Sequence, residues 1–426
     1  MARSGGPTVG LDIGARMIKV AEVVPSRGGV SVRAVGMAPT PQEAIENNII
    51  VDPKLLGDAV KRLLREAGIS SRTSVSSVSG QGALVVRVIE VPKMADGELA
   101  EAMKWEVERH VPFAANEVIM DFQRIERPDA DPDAQNMEVL LAVAQQDMID
   151  RHVEMLFAAG LKPVAIDVEP LAAARSLIEL GPDPYGTKTT VIVNIGASNT
   201  DIGIYRDGIL AFPRTLPLAG DALTRAIAMQ LGISEEDAEQ QKISYGDALA
   251  SAAPPPVAPA GEGFLDFSAP APAPRGPFDY GEDEGEGMEA PAPAPPQASL
   301  APTGSGDPVV AQIGAAMAGT LGELLTELRR SLEYYRSRSM DGRIDEIQLC
   351  GGSANLRNLD QLLTSDLGVP TRVANPFAGV TVASKNFSSD YIGQVAPAFA
   401  VAVGLGARDL VRPPVGASAG GKRGRK

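Results

Sequence analysis

The sequence contains very little cysteine or histidine. Among 426 residues there is one cysteine, Cys350, and there are two histidines, His110 and His152. A single cysteine can form neither an intramolecular disulfide nor a cysteine zinc cluster, and two histidines are too few for a multi-histidine metal site. The composition therefore predicts a protein of a reducing compartment without a zinc site of either kind.

Positive charge is also scarce. The chain has 39 Lys and Arg residues against 54 Asp and Glu, which gives a formal net charge of −15. This balance argues against a general nucleic-acid binder. Basic residues gather only in 413–426, which is predicted to be a flexible tail. A solvated terminus is the favoured interpretation, and weak attraction to an anionic membrane surface is the alternative. The basic residues of this tail are Lys422, Arg423, Arg425 and Lys426.

Long hydrophobic runs are missing as well. A membrane-spanning helix needs about 18 to 20 apolar residues. The best window, Val395 to Ala407, is shorter and contains Pro397. No apolar segment precedes Asp12, so a secretory signal is not expected. The sequence thus predicts a cytoplasmic protein.

One segment differs from the rest of the chain. Residues 247–308 contain 14 of the 34 prolines, ten acidic residues and one basic residue, Arg275. Pro/Ala repeats favour extended backbone and clustered acids repel one another, so this segment is predicted to be disordered. A passive insertion is the favoured interpretation; a short partner-binding motif is the alternative.

The flanking regions have the pattern of folded α/β structure. Thr8–Ile13 and Ile18–Val24 indicate a strand pair, and Pro53–Ala67 has apolar residues at helical spacing behind a cap at Asp52. The first half has the order strand pair, helix and strand, and the second half begins again with a strand pair and a helix, which is a near repetition. Two similar halves imply a cleft between them.

A helix predicted around 96–110 places its apolar residues on one face. Leu99, Met103 and Val107 share this face, with Trp105 at its edge. Buried packing is the favoured interpretation of Trp105, and an exposed partner contact is the alternative.

Two segments place the same chemistry at the end of an apolar strand. VGLDIGARMIKVAEV and VIVNIGASNTDIGIY each have a polar residue, Asp12 or Asn194, two positions before a glycine, Gly14 or Gly196. Glycine permits a tight turn whose backbone N–H groups face an anion. An ordinary turn explains either segment alone, but the matched pair predicts two hairpins that clamp one polyphosphate.

Two further elements accompany these hairpins. A predicted strand, Glu346–Cys350, leads into Gly351, Gly352 and Ser353, where bare backbone can approach a flat ligand. In ISEEDAEQQKISYGD, Glu239 and Lys242 lie three residues apart on one helical face. A solvated ion pair is the alternative interpretation of this second element.

The order of these segments, with LCGGSANL and the closing PAFAVAVGLGAR, resembles the nucleotide-site segments of the actin-like ATPases. Within that superfamily the chain is similar to the PilM family of type IV pilus assembly, as VIEVPKMADGELAEAMKWEVERHVPFAANEVIMDFQ and ELRRSLEYYRSR indicate. The resemblance implies an α/β, actin-like fold with a duplicated RNase H-like core around a nucleotide cleft. Its subdomains would be 1A (8–92, 171–188), 1C (93–170), 2A (189–233, 343–412) and 2B (234–342).

The resemblance also implies a role for each residue of the site. Asp12 would hold a magnesium-bound water, with Asn194 as the second metal-site residue, and Lys19 would approach the terminal phosphates of ATP. The remaining residues would form the phosphate turns, the ribose and base site, and the adenosine loop. They are Gly14, Ala15, Arg16 and Met17; Gly196, Ser198, Asn199 and Thr200; Glu239 and Lys242; and Gly351, Gly352 and Ser353.

Two departures weaken the case for catalysis. Asn194 stands where the family usually has Asp, and Ala15–Met17 lacks the usual hydroxyl. A neutral amide neither holds a cation strongly nor accepts a proton from water. We therefore expect Mg²⁺ and ATP to bind, with weak or absent hydrolysis and no catalytic residue.

The resemblance implies an assembly adaptor. It would bind the cytoplasmic N-terminal peptide of the inner-membrane protein PilN in a groove between 1A and 1C, and would link the membrane platform to the pilus motor. Other platform components and self-association stay open. Alternatives are an FtsA-like filament protein, disfavoured because the tail lacks an amphipathic helix, and a kinase on the same fold, for which only Asp201 and Glu22 remain as carboxylates.

Overall fold

The structure is a computed structural model of the chain. The residues that it describes are 6–27, 29–46, 48–79, 83–111, 114–128, 131, 133–181, 187–250, 307–339, 341–383 and 389–411. The predicted tail, 413–426, and most of the predicted disordered segment lie outside these residues.

The described residues contain sixteen strands. They are β1 (Thr8–Ile13), β2 (Met17–Ser26), β3 (Gly29–Pro39), β4 (Ile45–Glu46), β5 (Ile49–Ile50), β6 (Thr73–Val78), β7 (Leu84–Pro92), β8 (Val118–Ile125), β9 (Asn136–Gln145), β10 (Lys162–Val168), β11 (Thr189–Ile195), β12 (Thr200–Arg206), β13 (Ile209–Leu216), β14 (Glu346–Cys350), β15 (Thr371–Val373) and β16 (Thr381–Val382).

Ten α-helices connect and cover these strands in the same described residues. They are α1 (Pro53–Glu66), α2 (Asp96–His110), α3 (Gln146–Ala158), α4 (Glu169–Ala174), α5 (Gly220–Leu231), α6 (Glu235–Tyr245), α7 (Pro308–Arg338), α8 (Leu359–Leu367), α9 (Ser389–Val395) and α10 (Ala400–Gly406).

Two large sheets repeat one topology. The first sheet has the order β10-β6-β1-β2-β3-β16, and the second has the order β13-β12-β11-β14-β15. In both sheets three consecutive strands form an antiparallel meander. Two further strands, parallel to the first strand of the meander, extend the sheet on that strand's side. The expected duplication is therefore confirmed. We call the halves built on these sheets the first and second lobes.

Local chemistry explains why the predicted elements form. Asp52 caps α1 by accepting a hydrogen bond from the Leu55 N–H, and one apolar face of the helix is buried. Asp207 and Gly208 both have positive φ, 53° and 75°, as the turn between β12 and β13 requires. The predicted helix and its cap at Asp52 are confirmed.

A third, three-stranded sheet is inserted into the first lobe. Its order is β7-β9-β8, and α2 packs on it through Leu99, Met103 and Val107, as the helical spacing predicted. Trp105 is 69% exposed, so the favoured interpretation of this residue as buried was wrong. We call residues 84–145 the inserted subdomain.

The structure divides the first half of the chain differently from the predicted 1A and 1C ranges. The predicted cut at 92/93 falls after β7, although β7 pairs with β9 along its whole length. The predicted 1C range also includes α3, which packs on α1, and β10, which pairs with β6 of the first sheet. A continuous apolar strand such as β7 resembles a buried strand of a parallel sheet, which is why the sequence assigned it there.

The C-terminal part of the predicted 2A range also packs elsewhere. β16 pairs with β3 of the first sheet, and α10 lies against β1 and β2. A Cβ added at Gly10 would lie 1.9 Å from the Ala402 carbonyl oxygen, so this glycine permits the close approach of α10 to β1. The strand β16 and the helix α10 therefore belong to the first lobe.

The ends of the predicted disordered segment are ordered. The Ala248 N–H donates to the Arg357 carbonyl at 2.9 Å, and Asp247 accepts a hydrogen bond from Asn358. At the other end, Asp307 caps α7 through the Val309 N–H. The predicted limits at 247 and 308 were therefore too wide, and 251–306 lies outside the described residues.

The helix α7 is long and apolar enough to cross a membrane by length and composition. The expectation that no window reaches that length was therefore wrong. Its residues Leu321, Leu324, Leu328 and Leu332 are buried in the core of the second lobe. Packing in this core accounts for the apolar residues of α7 that are buried there.

Candidate nucleotide site

A cleft of about 440 Å³ lies between the two lobes. Both predicted turns line it, together with the loop after β14 and the helix α6. The cleft brings together almost all of the predicted site residues. They are Asp12, Gly14, Ala15, Arg16, Met17, Lys19, Asn194, Gly196, Ser198, Asn199, Glu239, Lys242, Gly351, Gly352 and Ser353.

Thr200 is the predicted residue that the structure does not bring into this cleft. Its side chain is fully buried, and its hydroxyl donates to the Leu218 carbonyl at 2.6 Å. Thr200 is the first residue of β12, and its hydrogen bond holds this strand behind the turn. Its side chain does not line the cleft.

The first turn, residues 14–17, is closed by its own backbone. The Gly14 N–H donates to the Met17 carbonyl at 3.1 Å, and the Thr40 hydroxyl donates to the Gly14 carbonyl at 2.7 Å. A Cβ added at Gly14 would lie 2.9 Å from the Met17 carbonyl oxygen. The turn therefore requires glycine, and its bare backbone provides the cradle expected for phosphate oxygens.

The second turn, residues 196–199, repeats this arrangement. The Gly196 N–H donates to the Asn199 carbonyl at 3.0 Å, and a Cβ at Gly196 would lie 3.1 Å from the same oxygen. The Gly220 N–H donates to the Gly196 carbonyl, so the start of α5 is joined to this turn. Both lobes thus present the same glycine turn to one cleft.

The predicted adenosine loop also fits a bare-backbone cradle. Gly351 has a φ of 88°, and a Cβ there would lie 2.4 Å from the Ile195 carbonyl oxygen. The Ser353 hydroxyl donates to the Gly196 carbonyl at 2.9 Å. The loop and the second turn therefore form one connected surface.

Glu239 and Lys242 are not an isolated solvated pair, contrary to the alternative interpretation. The Lys242 ammonium donates to Glu239 at 2.7 Å, to the Thr224 hydroxyl at 2.8 Å and to the Gly220 carbonyl at 3.0 Å. Burial alone raises the pKa of Glu239, but hydrogen bonds from Lys242 and Thr224 bring it below its ordinary value. The network fixes α6 against the start of α5.

Two carboxyl groups of the cleft lining, Glu169 and Asp201, are joined by a hydrogen bond. Burial, followed by the charges of Asp201 and Asp12, raises the pKa of Glu169 to about 8. Burial also raises the pKa of Asp201, although the Thr215 hydroxyl, at 2.5 Å, opposes this. The pair therefore retains a proton near neutral pH.

Sequence analysis missed Glu169 as a site residue. It lies in the first turn of α4, directly after a strand and before Pro170, where the sequence indicated only the end of a strand. The Asn194 amide donates to Glu169 at 2.9 Å. Glu22, the other carboxylate considered for catalysis, is absent from the cleft lining and accepts a hydrogen bond from the Ser71 N–H.

The described cleft lining offers no free cation. Lys19 pairs with Asp12 at 2.7 Å, and Arg357 donates to the carbonyl oxygens of Ser244 and Gly246. The ionisable acids and bases of the lining, apart from a histidine, are Asp12, Glu169, Asp201, Asp221, Glu239, Arg16, Lys19, Lys242 and Arg357. With one proton kept by the Glu169–Asp201 pair, the negative and positive charges of these groups balance, so they offer a polyphosphate no net positive charge and it would need to bring its own counter-ion.

The predicted metal-site residues have other partners in the structure. The Asp12 carboxylate is paired with Lys19, and the Asn194 amide faces Glu169. No group of three or more His, Cys, Asp or Glu side chains suited to a metal occurs among the described residues. One carboxylate and one amide fit Mg²⁺ held mainly by water and phosphate, since Mg²⁺ keeps several waters and uses few protein ligands.

Two contacts cross the cleft at the phosphate turns. Arg16 of the first turn pairs with Asp221 of α5 at 2.7 Å. Ser198 of the second turn donates at 2.9 Å to Asn48, which lies between β4 and β5 and has a φ of 63°. Each turn is therefore held by a residue of the opposite lobe.

Comparison with known proteins agrees with this architecture. The sequence profile of the family described as type IV pilus assembly protein PilM matches residues 10–248, more than half of the chain. The chain belongs to the PilM family. A solved structure, described as a PilM-PilN type IV pilus biogenesis complex, is similar over 95% of this chain and 99% of that chain, with a TM-score of 0.73 and 29% identity. This PilM-type chain has the actin-like fold.

The PilM-family chain is also related to cell division proteins. A profile of cell division protein FtsA matches residues 191–404. FtsA of Pseudomonas aeruginosa is 27% identical over 59% of this chain and 64% of that protein. FtsA of Escherichia coli K12 is 26% identical over 57% of this chain and 61% of that protein. The matches thus span about three fifths of the length of these curated relatives.

Proposed function

We propose that this protein is a cytoplasmic, ATP-binding adaptor of type IV pilus assembly. It binds the cytoplasmic N-terminal peptide of PilN in the groove between the first lobe and the inserted subdomain, and it links the inner-membrane platform to the pilus motor. The observation that carries the proposal is the likeness, along nearly the whole of both chains, to a protein solved as a PilM-PilN complex. Membrane association through partners is part of the proposal.

ATP binding is supported by the geometry of the cleft. Two glycine turns with the same internal hydrogen bond face one cavity, and the loop after β14 adds a third bare-backbone surface. Because each Lys and Arg of the described lining already has a partner, the proposal requires Mg²⁺ to accompany the phosphates. Mg²⁺ neutralises phosphate charge when it is bound, and Asp12 is the residue proposed to hold one of its waters.

Hydrolysis is proposed to be weak or absent. A general base must be ionised to accept a proton from water, and burial raises the pKa of Glu169 to about 8, so Glu169 keeps its proton near neutral pH. The Asp201 carboxylate already accepts a hydrogen bond from the Thr215 hydroxyl. Asn194 supplies an amide where a carboxylate would be more basic, and its N–H₂ group is engaged by Glu169. Glu169, Asp201 and Asn194 are therefore better suited to positioning one another in the cleft than to accepting a proton from water.

A filament-forming role is the second candidate, and the FtsA profile match over residues 191–404 is the observation that favours it. It predicts nucleotide-dependent sedimentation of the purified chain at high concentration. An adaptor that works as a discrete complex stays in the supernatant under the same conditions. Sedimentation with Mg·ATP, with Mg·ADP and without nucleotide separates the two roles.

Calorimetric titration tests the adaptor directly. The purified full chain is titrated with a synthetic peptide of the cytoplasmic N terminus of PilN from the same genome, with and without Mg·ATP. Saturable one-to-one binding is expected, and a change in affinity with Mg·ATP would measure the coupling between the two sites. A peptide of the same composition in scrambled order is the control. Equal or absent heats for both peptides would refute the PilN-binding claim.

A further inference from the structure

Arg16 differs from the other bases of the cleft. Lys19 pairs with Asp12 inside one hairpin, Lys242 pairs with Glu239 inside α6, and Arg357 stays within the second lobe. Among the described lining residues, Arg16 is the base whose ion pair joins the two lobes, through its Nε atom and Asp221 at 2.7 Å. Any ligand that attracts Arg16 therefore changes a contact between the lobes.

The partners of this ion pair do not depend on each other for solvation. The Arg16 side chain is 36% exposed, so water can hydrate its guanidinium. Asp221 lies in the first turn of α5, where the helix dipole favours a carboxylate, and its own N–H donates to the Ala197 carbonyl at 2.8 Å. Separating the pair leaves no buried charge without compensation.

We infer that Arg16 changes its partner when nucleotide binds: its ion pair with Asp221 breaks, and its guanidinium binds a phosphate of the ligand. The inference rests on the proposed nucleotide binding and adds to it a side chain that contacts the phosphates. Arg16 belongs to the turn whose backbone would cradle the phosphates, and its side chain already lines the cleft. Binding then converts a contact between lobes into a contact between protein and ligand.

The contact of Arg16 with a phosphate is expected to be stronger than its ion pair with Asp221. A partly exposed ion pair changes an equilibrium constant by about fivefold or less. Arginine binds phosphate through parallel charge-assisted hydrogen bonds, and such bonds contribute roughly tenfold to a hundredfold. Arg16 also lies 3.9 Å from the Glu235 carboxylate of α6, but this side chain is 55% exposed and the pair is correspondingly weak. A bound polyphosphate therefore outcompetes the carboxylates of Asp221 and Glu235.

A charge-balanced variant tests the exchange. R16Q/D221N replaces an ion pair by a neutral pair of similar shape, so the net charge of the cleft stays the same. Affinities for Mg·ATP and for adenosine are measured by titration calorimetry. If Arg16 contacts phosphate, the double variant binds Mg·ATP about tenfold more weakly while its adenosine affinity changes less than twofold. D221N alone, which frees Arg16 from its competitor, binds Mg·ATP at least threefold more tightly.

If the Arg16–Asp221 ion pair persists when nucleotide is bound, the result is different. R16Q/D221N would then bind Mg·ATP within twofold of the wild type, and this result would overturn the exchange. The control is R329Q/D366N, which removes an exposed pair of the same type, at 2.6 Å between α7 and α8, and leaves both affinities unchanged. Urea unfolding and circular dichroism verify that every variant folds.

The same experiment distinguishes the inference from the proposal on which it rests. Failure of the wild type to bind Mg·ATP would refute nucleotide binding and the exchange together. Normal binding by both the wild type and R16Q/D221N would refute the exchange alone. The PilN peptide takes no part in this test, so the adaptor claim is judged separately.

Discussion

The two glycine turns have the same backbone but opposite electrostatics. In the first lobe Asp12 lies across from Lys19 in the β1–β2 register, and in the second lobe Asn194 lies across from Asp201 at the equivalent place. The first pair is an ion pair at 2.7 Å, whereas the second has no cation and is joined by Glu169. Duplication thus kept the cradle and changed the chemistry beneath it.

This difference assigns separate tasks to the two lobes. The Asp12 carboxylate, paired with Lys19, is suited to holding a hydrated cation and the phosphates that it accompanies. The proton kept by Glu169 and Asp201 lowers the negative charge beneath the second turn, so a polyphosphate meets less repulsion there. We propose that this asymmetry favours nucleotide binding over hydrolysis.

The largest expected effect is a difference between the lobes in how their stability depends on pH. Burial lowers the pKa of His152, in α3 of the first lobe, to about 4. An unfolded histidine titrates near 6.5, so the unfolded chain binds the proton first as pH falls. The free energy of unfolding should therefore fall by roughly 3 kcal/mol between pH 7.5 and pH 4 through this group alone.

The measurement is urea unfolding across this pH range, compared with His152→Gln. The variant keeps a partner for the Ser76 hydroxyl, which contacts His152 Nε2 at 2.8 Å, but it cannot titrate. Its stability should fall less steeply on acidification. No histidine occurs after residue 152, so hydrogen exchange should lose protection first in the first sheet. Equal slopes for the wild type and the variant would contradict the prediction.

The next effect compares the carboxylates of the two hairpins. Asp12→Asn leaves the Lys19 ammonium, which is 14% exposed, without its counter-charge, and it removes the expected magnesium-water ligand. We expect a loss of about 2 kcal/mol in Mg·ATP binding, or about thirtyfold, since charge-assisted hydrogen bonds contribute on this scale. Calorimetry with Mg·ATP checks it.

Asp201→Asn is the matched control for this comparison. Because Asp201 already shares a proton with Glu169, replacing it by an amide should change Mg·ATP affinity by less than about threefold. If both variants lost affinity equally, the lobes would contribute alike and the proposed asymmetry would be wrong.

A smaller effect concerns the two glycines. A Cβ at Gly14 approaches a carbonyl oxygen at 2.9 Å, which forces the turn to shift, whereas at Gly196 the distance is 3.1 Å, which a slight movement relieves. We expect Gly14→Ala to weaken Mg·ATP binding by about tenfold and Gly196→Ala by about threefold or less. Thermal unfolding of both variants distinguishes damage to the turn from damage to the lobe.

Sequence patterns predicted the parts of this site that depend on backbone turns. Gly14, Gly196 and Gly351 each follow an apolar strand, and this local pattern determines where bare backbone occurs. The duplicated order of strands and helices is likewise a local property repeated twice. These features were therefore recognisable without the structure.

Features that depend on distant contacts could not be predicted in this way. Glu169 follows an unremarkable strand, and only the packing of α4 beneath the second turn brings it to Asn194 and Asp201. The pairing of Arg16 with Asp221 joins residues 205 positions apart. The affiliation of β7 with the inserted sheet likewise follows from its partner β9, because an apolar strand carries no mark of the sheet that it joins.

The smallest expected effect tests the proton beneath the second turn. Gln at position 169 can accept from the Asn194 amide through its carbonyl oxygen and donate to Asp201 through its N–H₂ group, as a protonated Glu does. We therefore expect Glu169→Gln to change Mg·ATP affinity by less than about twofold at pH 7. A larger loss would mean that Glu169 is ionised when nucleotide binds. If affinity stayed constant while a slow phosphate release disappeared, the carboxyl would be needed for turnover, and the second lobe would retain a catalytic task beside its binding role.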